Sequence, residues 1–415
     1  MRNNRRNYRF PGSLFLFLFL FPVFLGAPGN AASGGGHLPL GPNGFPDRAD
    51  VAGLHDGESP MGKTLVDLSS LVGAELTGVP VDSEAVREEI ARIAERVRPA
   101  LEDRSDPRRV ISALNRFLFV EEGYVYDGVA ENPDNYLLDR VIARKRGNCL
   151  GLTALYLLLA ERLSLPLHGV YVPSHAFVRY EDGGVRINIE TGEKGAGWED
   201  GKYLRVFRFT GGSSYLRSLS GNEMIAVYLK SLGASYSRKG REDRALRLYR
   251  EAAVYYPGLP DVYFNAGVSF QKKGMLDEAI AQYRRALELD PDLVVARGNI
   301  GVALAKKGMF PEALAEARKA ASLRPRDPVT LGNLAATLCA NGMVEEGIRE
   351  YRKVLEIDPD NARALAGLAK AHFARGEFRE AIDSCDRAIA CGWNPDPAML
   401  GALEKYRGSP PGSLP

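Results

Sequence analysis

Apolar and polar positions along this chain follow two different periods. "SEAVREEIARIAERVRPALED" (83–103) reads as a helix, with Ser83 as its N-cap and Val86 opening the apolar pattern. "DPRRVISALNRFLFV" reads as a second, capped by Asp106 with Pro107 at the first helical position, and "NYLLDRVIARKRG" as a third. "CLGLTALYLLLAERL", from Cys149, is apolar nearly all round, which marks a buried helix, and Asn148 before it is a good N-cap. Three short β-branched and aromatic runs follow, "LHGVYV", "HAFVRY" and "VRINIE", bounded by Pro, Ser, Asp and Gly. Helices followed by consecutive strands predict an α+β domain.

From about residue 222 the pattern becomes an internal repeat. Glycines stand at 240, 274, 308, 342 and 376, each 34 residues from the last. Prolines return at the same interval at 257, 291, 325 and 359, and small residues align as Ala245, Ala279, Ala313, Gly347 and Ala381. A second small set is Gly233, Gly267, Gly301, Ala335 and Ala369. Tyr249, Tyr283 and Tyr351 share one bulky position, which Ala317 and Cys385 also occupy, and these are read as packing between helices. The period, the small residues and the late proline resemble the tetratricopeptide repeat, which implies an all-α solenoid whose concave surface binds a protein or peptide. Five repeats span 222–395, with Trp393 where the last proline would fall and residues 396–415 as a C-terminal tail.

Composition changes the picture mainly at the N-terminus. Hydrophobic residues are 45% and charged residues 26%, ordinary for a globular chain. The formal net charge of +2 gives no case for a nucleic-acid partner or an anionic membrane. Residues 1–32 hold Arg2, Arg5, Arg6 and Arg9 and no acid, so without those four charges the +2 becomes −2. The arginines, the apolar run "LFLFLFLFPVFL" and the small residues after it predict a secretory signal peptide. The Arg5-Arg6 pair matches a twin-arginine signal only loosely. The expected location is therefore periplasmic or extracellular; the alternative is a chain tethered by an uncleaved segment, with no other membrane contact. Residues 33–80, rich in Gly and Pro over 33–63, read as a linker.

Four cysteines are present, with no CxxC pair and no zinc-type Cys/His spacing, and no metal or organic cofactor is implied. Cys385 and Cys391 diverge around one predicted helix, so any disulfide would be longer range. Cys149 is the chemically distinctive one. At a helix N-terminus it faces unpaired backbone N–H groups and a partial positive charge, which favour thiolate and can stabilise an oxyanion. A thiolate nucleophile needs a base. Of the five histidines, His37 and His55 lie in the linker, His372 in the repeats and His168 inside a strand; His175 opens a strand and is the candidate. Reading Asp182-Gly183 as the hairpin turn pairs residues whose numbers sum to 365, so His175 faces Glu190 as its orienting carboxylate. A loop longer by one residue would bring Thr191 opposite instead, and Asn188 on the same strand face is the alternative orienter. Arg179 shares a face with His175 and is a candidate for a substrate carboxylate, against an ordinary ion-paired strand residue. Trp198 either roofs a cleft or packs.

The run "RGNCLGLTALYLLLAERLSLPLHGVYVPSHAFVRY" and the later "NIETGEKG" resemble the transglutaminase-like cysteine superfamily, over a domain taken as 81–215. That resemblance implies a papain-like layout in which Cys149 is the nucleophile, His175 the base and Glu190 the acid. It departs from the family in having glutamate rather than the commoner aspartate, and Phe177 two residues after the histidine rather than Trp. The implied function is an exported, cysteine-dependent acyl-transfer enzyme acting on a protein or peptide amide, by hydrolysis or transamidation. The alternative is a catalytically inactive domain in a scaffold whose repeats do the binding.

Overall fold

The computed structural model describes residues 61–129, 132–207, 209 and 214–407. The expected signal peptide, the first part of the linker with His37 and His55, and the last eight residues lie outside them. The chain divides into two compact units, one holding the described residues up to 269 with 281–296, the other 270–280 with 297 onward.

The first unit contains the α+β domain. Part of the segment read as a linker is in fact a helix, α1 (Met61–Thr77). Its Leu65, Val66, Ser69 and Val72 are buried, a helical spacing that the Gly/Pro-rich stretch before it had masked. Helix α2 (Ser83–Val97) is capped by Asp82, one residue earlier than Ser83, through bonds from the Glu84 and Ala85 amides. Helix α3 (Pro107–Arg116) starts from an Asp106 cap, as its sequence implies. The short strands β1 (Val125–Tyr126) and β2 (Arg146–Gly147) pair in parallel, and α4 (Leu138–Arg144) leads into β2. Helix α5 (Cys149–Arg162) follows at once and is buried from Leu150 to Ala160. It packs between α2 and the sheet.

That sheet runs β5-β4-β3-β6, all antiparallel, with β3 Leu167–Val172, β4 His175–Asp182, β5 Val185–Ile189 and β6 Ser218–Leu219. The two residues Pro173-Ser174 join β3 to β4, with Ser174 at φ 66°, so Val172 pairs with His175 at the very edge of the sheet. The β4–β5 turn differs from the Asp182-Gly183 reading. Gly183 (φ 53°) and Gly184 (φ 82°) form it, a left-handed pair that only glycines adopt freely, and Asp182 pairs with Val185. The register therefore slides by two residues. An even slide preserves which face each side chain points to, so Glu190 becomes a diagonal rather than a direct neighbour of His175. Helix α6 (Asp200–Phe207) covers the sheet face carrying Val170, Val172 and Phe177, and Tyr203 stacks on Phe177 with ring centroids 3.9 Å apart.

The repeat helices begin in the same unit with α7 (Gly221–Arg238), α8 (Glu242–Tyr255) and α9 (Pro260–Lys272). Tyr249 lies where a side chain on Gly233 would sit, its ring 2.6 Å from a built Cβ, so glycine is what lets the two helices approach. The first repeat and the start of the second are polar-bonded to the α+β domain. Tyr228 donates to the Tyr136 carbonyl, Lys230 to the Tyr171 hydroxyl, and Tyr171 and Tyr215 both donate to Asp261, at 2.6, 2.8, 3.1 and 2.7 Å.

The helix pairs continue as Val294–Lys306 with Phe310–Leu323, Pro328–Ala340 with Val344–Ile357, and Ala362–Ala374 with Phe378–Ala390, the residues from 297 onward belonging to the second unit. The glycines at 240, 274, 308, 342 and 376 all sit at φ between 71° and 78°, each ending the first helix of its repeat in a left-handed turn. The tail adds a helix, Pro397–Glu404, whose Leu403 is buried against Ala369, Ala381 and Cys385 and closes the last repeat. All four cysteines are free.

Candidate active site

The start of α5 is fixed from several directions. Asn148 accepts from the Gly151 amide at 2.9 Å, and its own amide donates to the Asn135 carbonyl at 3.1 Å. A Cβ on Gly151 would lie 2.3 Å from that same carbonyl, so the glycines of "RGNCLG" let the Asn135 loop reach the helix start. Asn135 is fully buried and donates to the carbonyls of Asp127 and Val129. Cys149 is then the first residue of the helix, half-buried, with its amide in the first turn where no intrahelical acceptor exists.

Opposite it stands His175. Its Nε2 is 2.7 Å from Glu190 Oε2, which leaves Nδ1 clear of the carboxylate, and the Cys149 sulfur is near enough for its charge to act on the imidazole. Glu190 is buried and holds two further bonds: Oε1 accepts from the Gly192 amide at 3.0 Å, and Oε2 from Tyr203 Oη at 3.3 Å. Phe207 stacks on the imidazole with ring centroids 4.7 Å apart and planes 14° apart. Thr153, one turn along α5, meets the Ala176 carbonyl at 3.3 Å and Thr191 at 3.2 Å, tying helix, strand and loop together.

Burial works against charge on both partners, but their mutual attraction outweighs it. The Cys149 thiol falls below its ordinary range, because the imidazolium and two hydrogen bonds overcome the cost of burial. His175 rises above its ordinary value against the same cost, through the thiolate and the Glu190 carboxylate. Each partner favours the charged form of the other, and the two titrations belong to the pair. The arrangement sets a thiol whose ionised form is favoured beside an imidazole, with a fixed carboxylate behind it.

Two sequence candidates belong elsewhere. Arg179 is fully buried, and its donors go to Asn188 (2.7 Å), the Leu216 carbonyl (2.9 Å) and Asp200 (2.6 Å), so it cannot meet a substrate carboxylate. Asn188 does not orient His175; its amide donates to the Trp198 carbonyl and Asp200 while its oxygen accepts from Arg179. Both belong to a buried lock beneath α6. Trp198 packs there as well, donating to Glu193 at 2.8 Å. Arg179→Met is expected to lower unfolding free energy by about 3 kcal/mol, the low end for a broken buried pair because Asp200 keeps some water. Urea titration reads this as a lower midpoint; an unchanged midpoint with altered substrate affinity would restore the substrate-binding role.

Tyr203, Phe207 and Thr153 were not read from the sequence as parts of the site, and Thr191 was read only as the residue a longer loop would bring opposite His175. The signal for the first pair was available: two aromatics stand four apart after Asp200, with Leu204 and Val206 between them.

Residues 84–206 match the model of the transglutaminase-like superfamily. The N-terminal domain is transglutaminase-like. The helical array carries tetratricopeptide repeats, matched over 269–308 and 338–405 by two repeat models. Among curated proteins, a UPF0162 protein of Xylella fastidiosa strain 9a5c is 28% identical over 173 residues, 38% of this chain and 59% of that protein. Its counterpart in strain Temecula1 is 27% identical with the same coverage, so the chain spans 59% of the length of these relatives. Among solved structures, YrrB, described as a tetratricopeptide protein with an unusual peptide-binding site, is 23% identical, covering 43% of this chain and 92% of its own at a TM-score of 0.32. A thermophilic tetratricopeptide protein of Thermus thermophilus is 18% identical, covering 43% of this chain and 97% of its own at a TM-score of 0.40. Within the transglutaminase-like domain, Cys149, His175 and Glu190 come from the helix start, the sheet edge and the end of β5 respectively.

Proposed function

We propose that the transglutaminase-like domain is a cysteine-dependent acyl-transfer enzyme acting on a protein or peptide amide. The observation carrying this is a cysteine at a buried helix start whose thiol the neighbouring His175 lowers, with His175 Nε2 itself 2.7 Å from the Glu190 carboxylate. The thiolate adds to the amide carbonyl carbon, His175 gives its proton to the leaving amine, and Glu190 keeps the ring aligned and its charge compensated. Water or a second amine, deprotonated by the same imidazole, then releases the acyl group. The N-terminal residues support export, so the substrate would be met outside the cytoplasm. The repeats would hold a protein or peptide on their concave face and bring it to the enzyme.

Incubation with a peptide library, followed by detection of new amino termini and of incorporated labelled amine, tests the reading. Either product is expected from the intact chain. Neither product, across a library broad in sequence, would leave a binding scaffold as the remaining function.

A further inference from the structure

Tyr126 lies beside the site and is used by nothing described so far. It ends β1, pairs with Gly147 two residues before the nucleophile, and is held there by bonds from the Val125 amide to the Lys145 carbonyl and from the Asp127 amide to the Gly147 carbonyl. Its ring lies 3.4 Å from where a Cβ on Gly192 would sit, against the turn whose amide caps Glu190. On its other side the ring crosses Gly128 at 3.1 Å from a built Cβ. Glycine at both places leaves the ring its slot, and the residue stays 38% exposed. Its hydroxyl has no hydrogen-bond partner among the described residues. Burial, with Cys149 and then Glu190 as charged neighbours, raises the phenol well above its usual range, so the oxygen keeps its proton and remains a donor at neutral pH. The ring's neighbour Gly192 follows Thr191, whose hydroxyl donates to the Cys149 carbonyl at 3.4 Å, so an unpartnered neutral donor stands beside a helix start whose first amide is also free of any intrahelical acceptor, as a developing negative oxygen requires.

We propose that the Tyr126 hydroxyl and the Cys149 backbone N–H together hold the substrate carbonyl oxygen while the thiolate adds to its carbon. As the sulfur–carbon bond forms, the carbonyl π pair moves onto oxygen. Both donors stabilise that charge by hydrogen bonding and keep their protons, and the proton for the leaving group comes from His175. This role rests on the acyl-transfer reading above.

Two reactions of the same sulfur separate the role from a structural one. Acylation by p-nitrophenyl acetate passes through a tetrahedral oxyanion, whereas alkylation by iodoacetamide displaces iodide and forms none. In the full chain, Tyr126→Phe is expected to slow Cys149-dependent release of p-nitrophenolate by about tenfold or more, toward the roughly 10²–10³ of a single oxyanion donor. The iodoacetamide rate at Cys149 should stay within about twofold. Acylation at the wild-type rate would overturn the donor role, and so would a parallel loss in both reactions, which would make Tyr126 a support of the site. If wild type and Cys149→Ala release p-nitrophenolate alike, the underlying acyl-transfer reading fails, and the donor role with it.

Discussion

Cys149→Ala is expected to abolish turnover, by at least about 10³-fold against any amide or ester the intact chain accepts. The same sulfur should be labelled by iodoacetamide near pH 6, while Cys339 and Cys385, whose thiols burial raises, remain unlabelled. The sign follows from the paired shifts. The thiol sits below its ordinary value, so thiolate persists as pH falls until that lowered value is crossed, and labelling then declines. The imidazolium sits above its ordinary value, so turnover holds as pH rises until that proton leaves and the departing amine loses its acid. A bell-shaped turnover profile with an acid limb from the thiol and an alkaline limb from the imidazole is the expected result. Labelling of all four cysteines at similar slow rates would mean that the sulfur is an ordinary thiol.

Glu190→Gln should cost about 10²–10⁴-fold in turnover, the range for losing the group that fixes a catalytic imidazole. The amide preserves size, and its oxygen can still accept from the ring and the Tyr203 hydroxyl, so only the bond from the Gly192 amide is lost and the fold is expected to survive. What disappears is the negative charge that favours imidazolium. Removing it lowers the His175 pKa, and the alkaline limb of the profile shifts to lower pH. A drop in rate with that limb unmoved would assign Glu190 a packing role only. Circular dichroism and the urea midpoint separate either outcome from misfolding.

Much of this arrangement was legible in the chain, for identifiable physical reasons. The repeat glycines report a left-handed backbone that only glycine adopts without strain, so their spacing was a direct record of the turns. Asn148-Cys149 was legible because a cap followed by an unbroken apolar run admits few other readings. The β4–β5 register was misplaced because Asp182-Gly183 and Gly183-Gly184 are both strong turn pairs, and local sequence does not choose between them. The error was even, so the face of Glu190 was still read correctly. Arg179 was left between a substrate role and an ion-paired strand residue because its exposure depends on what covers the sheet. Helix α6, "DGKYLRVF", is short, and Asp200 on it makes Arg179 the buried, ion-paired one. The helix Met61–Thr77 was lost to its Gly/Pro-rich surroundings.

The bonds of the first repeat and the start of the second to the α+β domain tie the array to what precedes it. Tyr228, Lys230, Arg247 and Asp261 belong to the array by sequence period, but their partners Tyr136, Tyr171, Glu75 and Tyr215 lie before it. The repeats beyond these positions take no part in the four bonds. Replacing the array from residue 220 onward would strip four polar anchors from the α+β domain, so the proximal repeats are as much a part of that domain's packing as of the array.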